Sequence, residues 1–267
     1  MKNFAFIGAG NMAGAIIEGM CKSSLDCNIY VYDLDFEKSS RFEYSSVSPC
    51  RSFEQAVENA HYVVLAVKPQ NYGEVLKSLS GVKGIEQKVF VSIAAGITTD
   101  SVCEHLGFCA PVIRTMPNTP MLIGEGVTAL CRNSKVNDED FDGAVKVFSL
   151  SGSVILLNEE HLNTVICATS SSPAYVYLFI KSIYEEALSQ GLPEENLLET
   201  VCNVVIGSAK MLLSTGKTPE ELIKMVTSPG GTTERAMNVF KENGFEKIVS
   251  DAMKACSKRA EELSKSL

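Results

Sequence analysis

Several shortages in this sequence narrow its function before any motif is read. Positive charge is one: 24 Lys and Arg stand against 32 Asp and Glu, a formal net charge of −8. That argues against a nucleic-acid partner or an anionic membrane surface, and it leaves a small anionic substrate open, because a local site can be positive on an acidic protein. Histidine is scarce: His61, His105 and His161 lie far apart and form no ligand motif. The nine cysteines are scattered, with no C-x-x-C pair. Neither a zinc site nor a disulfide framework is expected, no metal is called for, and the thiols suit a reducing cytosol. No apolar run approaches the ~20 residues of a membrane span; the best candidate, 201–213, is interrupted by Asn203, Ser208 and Lys210. A secretory signal is not expected, since the first apolar residues belong to a strand-turn-helix unit. Internal repeats and low-complexity linkers are missing as well. What remains is 267 residues, 45% of them hydrophobic, enough for one large or two modest domains with a proper core and expected in the cytoplasm.

What is present starts at the N-terminus. Phe4 to Ile7 is a short apolar run, Gly8-Ala9-Gly10 a turn, and Asn11 to Gly19 carries a helical pattern. Gly8 and Gly10 permit a tight turn and let backbone approach a ligand closely. Ala13 and Gly14 are small, so the helix can pack near the strand. The amides at the helix start, at Asn11, Met12 and Ala13, point at an anion such as a pyrophosphate. A second strand, 28–33, ends in Asp33, about twenty residues past the glycines, where a carboxylate accepts from a ribose 2′-OH. A carboxylate also repels a 2′-phosphate, and no Arg lies within three residues to receive one. Of NADPH and NADH, Asp33 therefore leans to NADH.

Further along, strands and helices alternate. Ser52 to Gln55 reads as a capping box opening a helix through about Asn59. Tyr62 to Val67 is continuously apolar, as for a strand buried on both faces, and Pro69 stops it. Open α/β sheets bind ligands beyond the carboxyl ends of their strands, which places Val67, Lys68 and Pro69 against a dinucleotide. The strand from Val89 ends in Ala94, Ala95 and Gly96, small enough to leave room for a flat ring. Thr99-Asp100 starts a helix to Leu106. Pro111 to Pro120 is strand-like, then locked by prolines into a rigid platform that makes Asn118 a candidate substrate contact. Strands at 126–130 and 153–157 flank a helix over 137–150. The pattern predicts a Rossmann-like doubly wound sheet over 1–157, the dinucleotide-binding domain.

From 158 to 267 helical periodicity takes over, in segments at 160–169, 173–190, 193–213, from Thr218, and 245–263. Thr218-Pro219-Glu220-Glu221 is a strong helix start. These helices are apolar on several faces, so a helical substrate-binding and homodimerisation domain is expected. One bend stands out in it: Ser228-Pro229-Gly230-Gly231-Thr232-Thr233. Pro229 ends one helix, Gly230 and Gly231 allow unusual backbone angles, and Thr232 or Thr233 caps the next. Hydroxyls and free N–H groups at a helix start make a carboxylate receptor without a basic side chain.

Taken together, Phe6 to Ala13, Ala66 to Gln70, Ser92 to Ile97, Arg114 to Pro120 and Thr227 to Thr233 resemble the pyrroline-5-carboxylate reductase family, and the resemblance covers the whole chain. It implies reduction of 1-pyrroline-5-carboxylate to L-proline with NADPH or NADH, the last step of proline biosynthesis. It also implies that the bend grips the substrate carboxylate, through Ser228, Gly230, Gly231 and Thr232. Thr233 would hydrogen-bond the ring nitrogen and serve as the catalytic residue. The helical domain would interleave in a dimer, with dimers often gathered into decamers. Two departures stand out. Where the family usually has glycines before the long helix, this sequence has Ser170 and Ser172. Many members also lack an acid at the position of Asp33 and prefer NADPH.

Two rival readings share this outline. β-Hydroxyacid dehydrogenases carry a lysine about one turn into the interdomain helix; here the first lysine after Ser172 is Lys181, which disfavours a lysine base. A non-catalytic dinucleotide sensor would need no carboxylate receptor, so the bend argues against it.

Overall fold

A computed structural model describes residues 2–265 of the chain. Phe4–Ile7 forms β1, buried at every position, and runs through the glycine turn into α1 (Asn11–Lys22). Helix α1 turns Ile16, Ile17 and Met20 into the core; fully burying each such side chain contributes about 1.5–3 kcal/mol. β2 (Ile29–Tyr32) follows, then α2 (Phe36–Ser40), capped by the Asp35 side chain. A strand not expected from the sequence comes next, β3 (Val47–Cys50). It contains Pro49, which a ladder tolerates only at an edge, and β3 is the edge strand of the sheet.

Ser52 caps α3 (Phe53–Val57) by accepting from the Gln55 N–H, but the Gln55 side chain returns to the amide of Arg51 rather than that of Ser52. β4 (Tyr62–Leu65), α4 (Tyr72–Leu79), β5 (Val89–Ser92), α5 (Thr99–Leu106) and β6 (Val112–Met116) continue the alternation. The α5 cap is Thr98, one residue before the expected one, and it accepts from the Ser101 N–H at 3.0 Å. β7 (Gly126–Arg132), α6 (Asp138–Ser149) and β8 (Gly152–Leu156) complete an eight-stranded sheet in the order β3-β2-β1-β4-β5-β6-β7-β8. β7 runs antiparallel to β6 and β8 parallel to β7; every other pairing is parallel. β4 is buried throughout, the pattern of a parallel strand covered on both faces.

The chain then passes through two short 3-10 turns, at Glu159–His161 and Val165–Cys167, where a helix over 160–169 was expected. Five helices follow: α7 (Ser172–Ser189), α8 (Leu197–Thr215), α9 (Pro219–Val226), α10 (Thr232–Glu242) and α11 (Phe245–Lys265). α9 opens with the expected capping box: Thr218 accepts from the Glu221 N–H, and Glu221 accepts from the Thr218 N–H at 2.8 Å. α8 begins at Leu197, not Pro193, because 193–196 form a turn that ends in Asn196 at φ 60°. At 19 residues and a mean hydropathy of 1.4, α8 is long and apolar enough to cross a membrane by length and composition. The polar residues within it do not bring it below that mark, contrary to the expectation from sequence.

Two compact units result, one formed by residues up to Pro173 with Ala255 onward, the other by Ala174–Lys254. In the first, Met116, Ala129, Cys131, Leu162 and Ile166 pack with Ala260 of α11. In the second, a cavity of about 830 Å³ is lined by apolar side chains that include Phe179, Ile183, Phe240 and Val249.

Candidate active site

Strand order runs away from β1 in both directions, to β2 on one side and β4 on the other, and this reversal point is where open α/β sheets bind ligands. A cavity of about 480 Å³ lies there, lined by Gly8, Gly10, Asp33, Val67 and Lys68 among others. Gly8 sits at φ 103°, its N–H donating to the Tyr32 carbonyl at 2.7 Å. A Cβ on it would lie 2.7 Å from the Ala66 carbonyl oxygen, so glycine is required by the protein itself. Gly10 differs: a Cβ there would meet nothing within 4 Å. Its bare backbone faces open space, a cradle that suits close approach of a pyrophosphate. Gly10 is the N-cap of α1 and Gly14 the first residue to close back onto it. The amides of Asn11, Met12 and Ala13 are therefore the helix's unspent donors, aimed as an anion requires. These residues fit a dinucleotide.

The Asp33 carboxylate is already at work in this turn. One oxygen accepts from the Ala9 N–H at 2.8 Å and the other from the Asp35 N–H at 3.0 Å. Each oxygen retains a second acceptor position for a ribose hydroxyl. Two cations lie more than three residues past Asp33 in the sequence. Lys38 lines the same cavity and pairs with Asp35 at 3.6 Å. The Arg41 guanidinium donates to the Gly10 carbonyl at 3.3 Å. It fills the space left by Gly14, where a Cβ would stand 2.5 Å from it; the small residue makes room for Arg41 and not, as expected, for the strand.

Pro69 begins a 3-10 turn, Pro69–Asn71, beyond the end of β4 at Leu65, while Ala94, Ala95 and Gly96 (φ 81°) follow β5. They occupy strand ends as expected but do not line the 480 Å³ cavity, nor do Asn11, Met12 and Ala13. Helix α4 contributes instead, through Glu74, Val75 and Ser78. Asn118 is 6% exposed, and its carboxamide is spent on the protein. Nδ2 donates to the Thr169 carbonyl at 3.0 Å, and Oδ1 accepts from the Val127 N–H at 2.8 Å. The Ser170 hydroxyl donates to the Pro117 carbonyl beside it. Asn118 thus braces the proline-locked turn with one amide proton and one acceptor position of its carboxamide. Ser172 turns its hydroxyl back to the Ala168 carbonyl at 2.7 Å.

At the second candidate site, Gly230 adopts φ 76° and the Gly231 N–H donates to the Ser228 carbonyl at 3.0 Å. The N-cap of α10 is Gly231, with no side-chain cap. Neither Thr232 nor Thr233 caps the helix; they are its first two residues, so their hydroxyls are not consumed there. The Gly230 N–H donates to Glu234 Oε2 at 2.8 Å. Gly230 and Gly231 thus shape the bend, while the donors left for an incoming carboxylate are the amides of Thr232, Thr233 and Glu234, since Arg235 is the first to close back onto Gly231. Lys181, the first lysine of α7, is exposed and pairs with Glu185 at 3.5 Å.

A buried polar group centres on β6. Arg114 is 1% exposed, and burial pushes its guanidinium below the ordinary arginine range although Glu159 draws it back up. Nη1 meets Glu159 Oε1 at 3.4 Å and Nη2 donates to Asn163. Glu159 in turn accepts from Thr99, at N with 2.7 Å and at Oγ1 with 2.6 Å.

Sheet, glycine turn and reversal-point crevice together define a dinucleotide-binding protein of Rossmann-like build. A family model described as pyrroline-5-carboxylate reductase dimerisation matches residues 159–263, and one described as NADP oxidoreductase coenzyme F420-dependent matches 3–96. The pyrroline-5-carboxylate reductase of Escherichia coli (strain K12) is 37% identical over 270 residues, 99% of each chain. Among solved structures, a pyrroline-5-carboxylate reductase from Coxiella burnetii superposes with a TM-score of 0.89 at 33% identity, covering 98% of both chains. The pyrroline carboxylate reductase of Plasmodium falciparum, solved with NADP bound, gives 0.88 at 25% identity over the same share. The chain belongs to the pyrroline-5-carboxylate reductase family.

Proposed function

We propose that the bend from Ser228 to Thr233 holds the substrate and that Thr233 is the catalytic residue of this reductase. The chain is an NAD(P)H-dependent oxidoreductase acting on a C=N bond: it reduces 1-pyrroline-5-carboxylate to L-proline, the last step of proline biosynthesis. What supports the assignment most is that kinship to the reductases runs the length of the chain, through both the crevice-bearing unit and the helical one.

The cofactor, NADPH or NADH, would be held by Gly8, Gly10, the amides of Asn11 to Ala13, Asp33, Val67 and Lys68, with Pro69 and Ala94 to Gly96 beyond the strand ends. When bound it supplies the hydride; the protein supplies alignment and electrostatics. The amides of Thr232 and Thr233 receive the substrate carboxylate. The Thr233 hydroxyl orients and polarises the ring nitrogen. A hydroxyl of ordinary pKa is a poor acid, so the proton on that nitrogen comes from water or arrives with an already protonated substrate. Residues 1–157 act as the dinucleotide domain and 158–267 as the substrate and dimerisation domain.

A second copy of the chain, not lipid, covers the apolar helix faces: α8 carries Asn203 and Lys210 within its length, which a dimer interface accommodates more readily than hydrocarbon. The dimer is the building block, with decamers as the larger assembly, and the acidic protein works in the cytoplasm without membrane or nucleic acid.

Steady turnover of 1-pyrroline-5-carboxylate with NADH or NADPH tests the reaction, and no turnover with either removes it. Thr233→Val tests the role of the hydroxyl. It should raise the barrier by about 1–3 kcal/mol, roughly 10–100-fold in kcat/KM. An unchanged kcat/KM would contradict that role.

A further inference from the structure

We propose that Glu159 is a positioning residue for the dinucleotide, clamping the start of α5 so that the loop between β5 and α5 is held at its exit end. The proposal rests on the reductase reading only for what lies against that loop, Ala94 to Gly96.

The loop enters from a strand that is fixed on both sides. At Ser92 the carbonyl accepts from the Thr115 hydroxyl at 3.1 Å, and the side chain meets the Tyr72 hydroxyl at 3.1 Å. Tyr72 is itself buried and donates to the Leu65 carbonyl at 2.7 Å. Between Ser92 and Thr98 the side chains are apolar or missing, Gly96 is left-handed at φ 81°, and nothing long and polar is available for the loop to anchor itself. Its exit is Thr99, 2% exposed, and there Glu159 takes both the backbone N–H and the hydroxyl. α5 already has a local cap in the Thr98 hydroxyl, so a carboxylate from 60 residues away adds location rather than mere helix initiation. Arg114 forces the placement. It is a buried cation with Nε unpaired, and Glu159 is its ion-pair partner among the described residues. A buried charge without a partner is costly, so the carboxylate cannot swing away from this point. Arg114 pairs in register with Ser92 across the β5–β6 ladder. One clamp therefore ties the loop's exit to the strand beside its entrance.

The test compares the full-length protein with Glu159→Gln, Glu159→Asp and Thr99→Val. Dissociation constants for NADH and NADPH are read by dinucleotide fluorescence, which does not depend on turnover. KM for 1-pyrroline-5-carboxylate, kcat and Tm are measured alongside. Glu159→Gln should weaken dinucleotide binding roughly tenfold, the scale of a modest misplacement, and Thr99→Val less. Glu159→Asp should recover part of the loss. KM for the imino acid should move by less than about twofold, because the clamp acts on one half of the site. Amide exchange at Ala95 to Thr99 should rise in Glu159→Gln. Equal dissociation constants in all four proteins would overturn the proposal, as would equal losses of dinucleotide affinity, imino-acid KM and Tm, which mark general destabilisation. Normal dinucleotide binding without turnover in the wild type would instead overturn the reductase reading and leave the clamp's readout intact.

Discussion

Ala9 donates its backbone N–H to the Asp33 carboxylate at 2.8 Å. The acid just past β2 therefore pins the glycine turn, and under the proposed function the same carboxylate meets the ribose. Both duties bear on which dinucleotide the protein prefers. Asp33→Ser should lower kcat/KM for NADH roughly tenfold or more, the scale of a lost charged hydrogen bond. NADPH should suffer less, since repulsion of its 2′-phosphate is relieved and Lys38 lines the same cavity. Initial rates with both dinucleotides decide it; an unchanged NADPH-to-NADH ratio shows that Asp33 does not discriminate.

Gly8 and Gly10 should fail in different ways. Gly8→Ala places a methyl 2.7 Å from a backbone oxygen at a positive φ, so the variant should unfold at lower temperature as well as lose dinucleotide. Gly10→Ala meets only open space. It should melt within a degree or two of the wild type and still bind dinucleotide at least about tenfold more weakly, because the methyl intrudes where a pyrophosphate must come close. Melting curves with and without NADH separate the two cases.

Asn118→Ala distinguishes a brace from a ligand contact. Removing the carboxamide strands the Val127 N–H and the Thr169 carbonyl, which costs about 1–3 kcal/mol. Tm should fall, with the KM for 1-pyrroline-5-carboxylate nearly constant. A raised KM at unchanged Tm would restore Asn118 as a substrate contact.

Acid should weaken the opposite end of the sheet first. Asp140 is buried at the start of α6, and burial alone would raise its pKa. Hydrogen bonds from Lys2 at 2.9 Å and His61 at 2.7 Å outweigh that and hold the carboxyl below its ordinary value of 3.8. A depressed carboxyl stabilises the fold above its unfolded pKa, and that contribution drains away as pH falls through the folded one. Urea midpoints between pH 6 and pH 3 should therefore fall more steeply for the wild type than for Asp140→Asn. Parallel curves would refute the assignment.

Much of this was legible because it is local. The glycine turn, the capping box at Thr218, and the buried run of β4 are each written in a handful of adjacent residues. β3 was not legible, because Pro49 reads as a strand breaker until the edge position is known. Nor was the cap of α5: of two adjacent threonines Thr98 takes it, and the Thr99 hydroxyl goes to Glu159, far off in sequence. The same distance hides the Arg114–Glu159 pair altogether. Asn118 was found for its rigid setting, but its bonds to Val127 and Thr169 were not legible, because neither partner is near it in sequence. At the bend, the capping duty expected of Thr232 or Thr233 is absent, because Gly231 takes the cap position by backbone geometry alone.

The last turns of α11 carry a practical lesson. Ala260 packs with residues of β6 and β7, so those turns furnish part of the wall behind the sheet. Trimming the chain at about Ala255, a cut that would look harmless on paper, would open that wall to solvent.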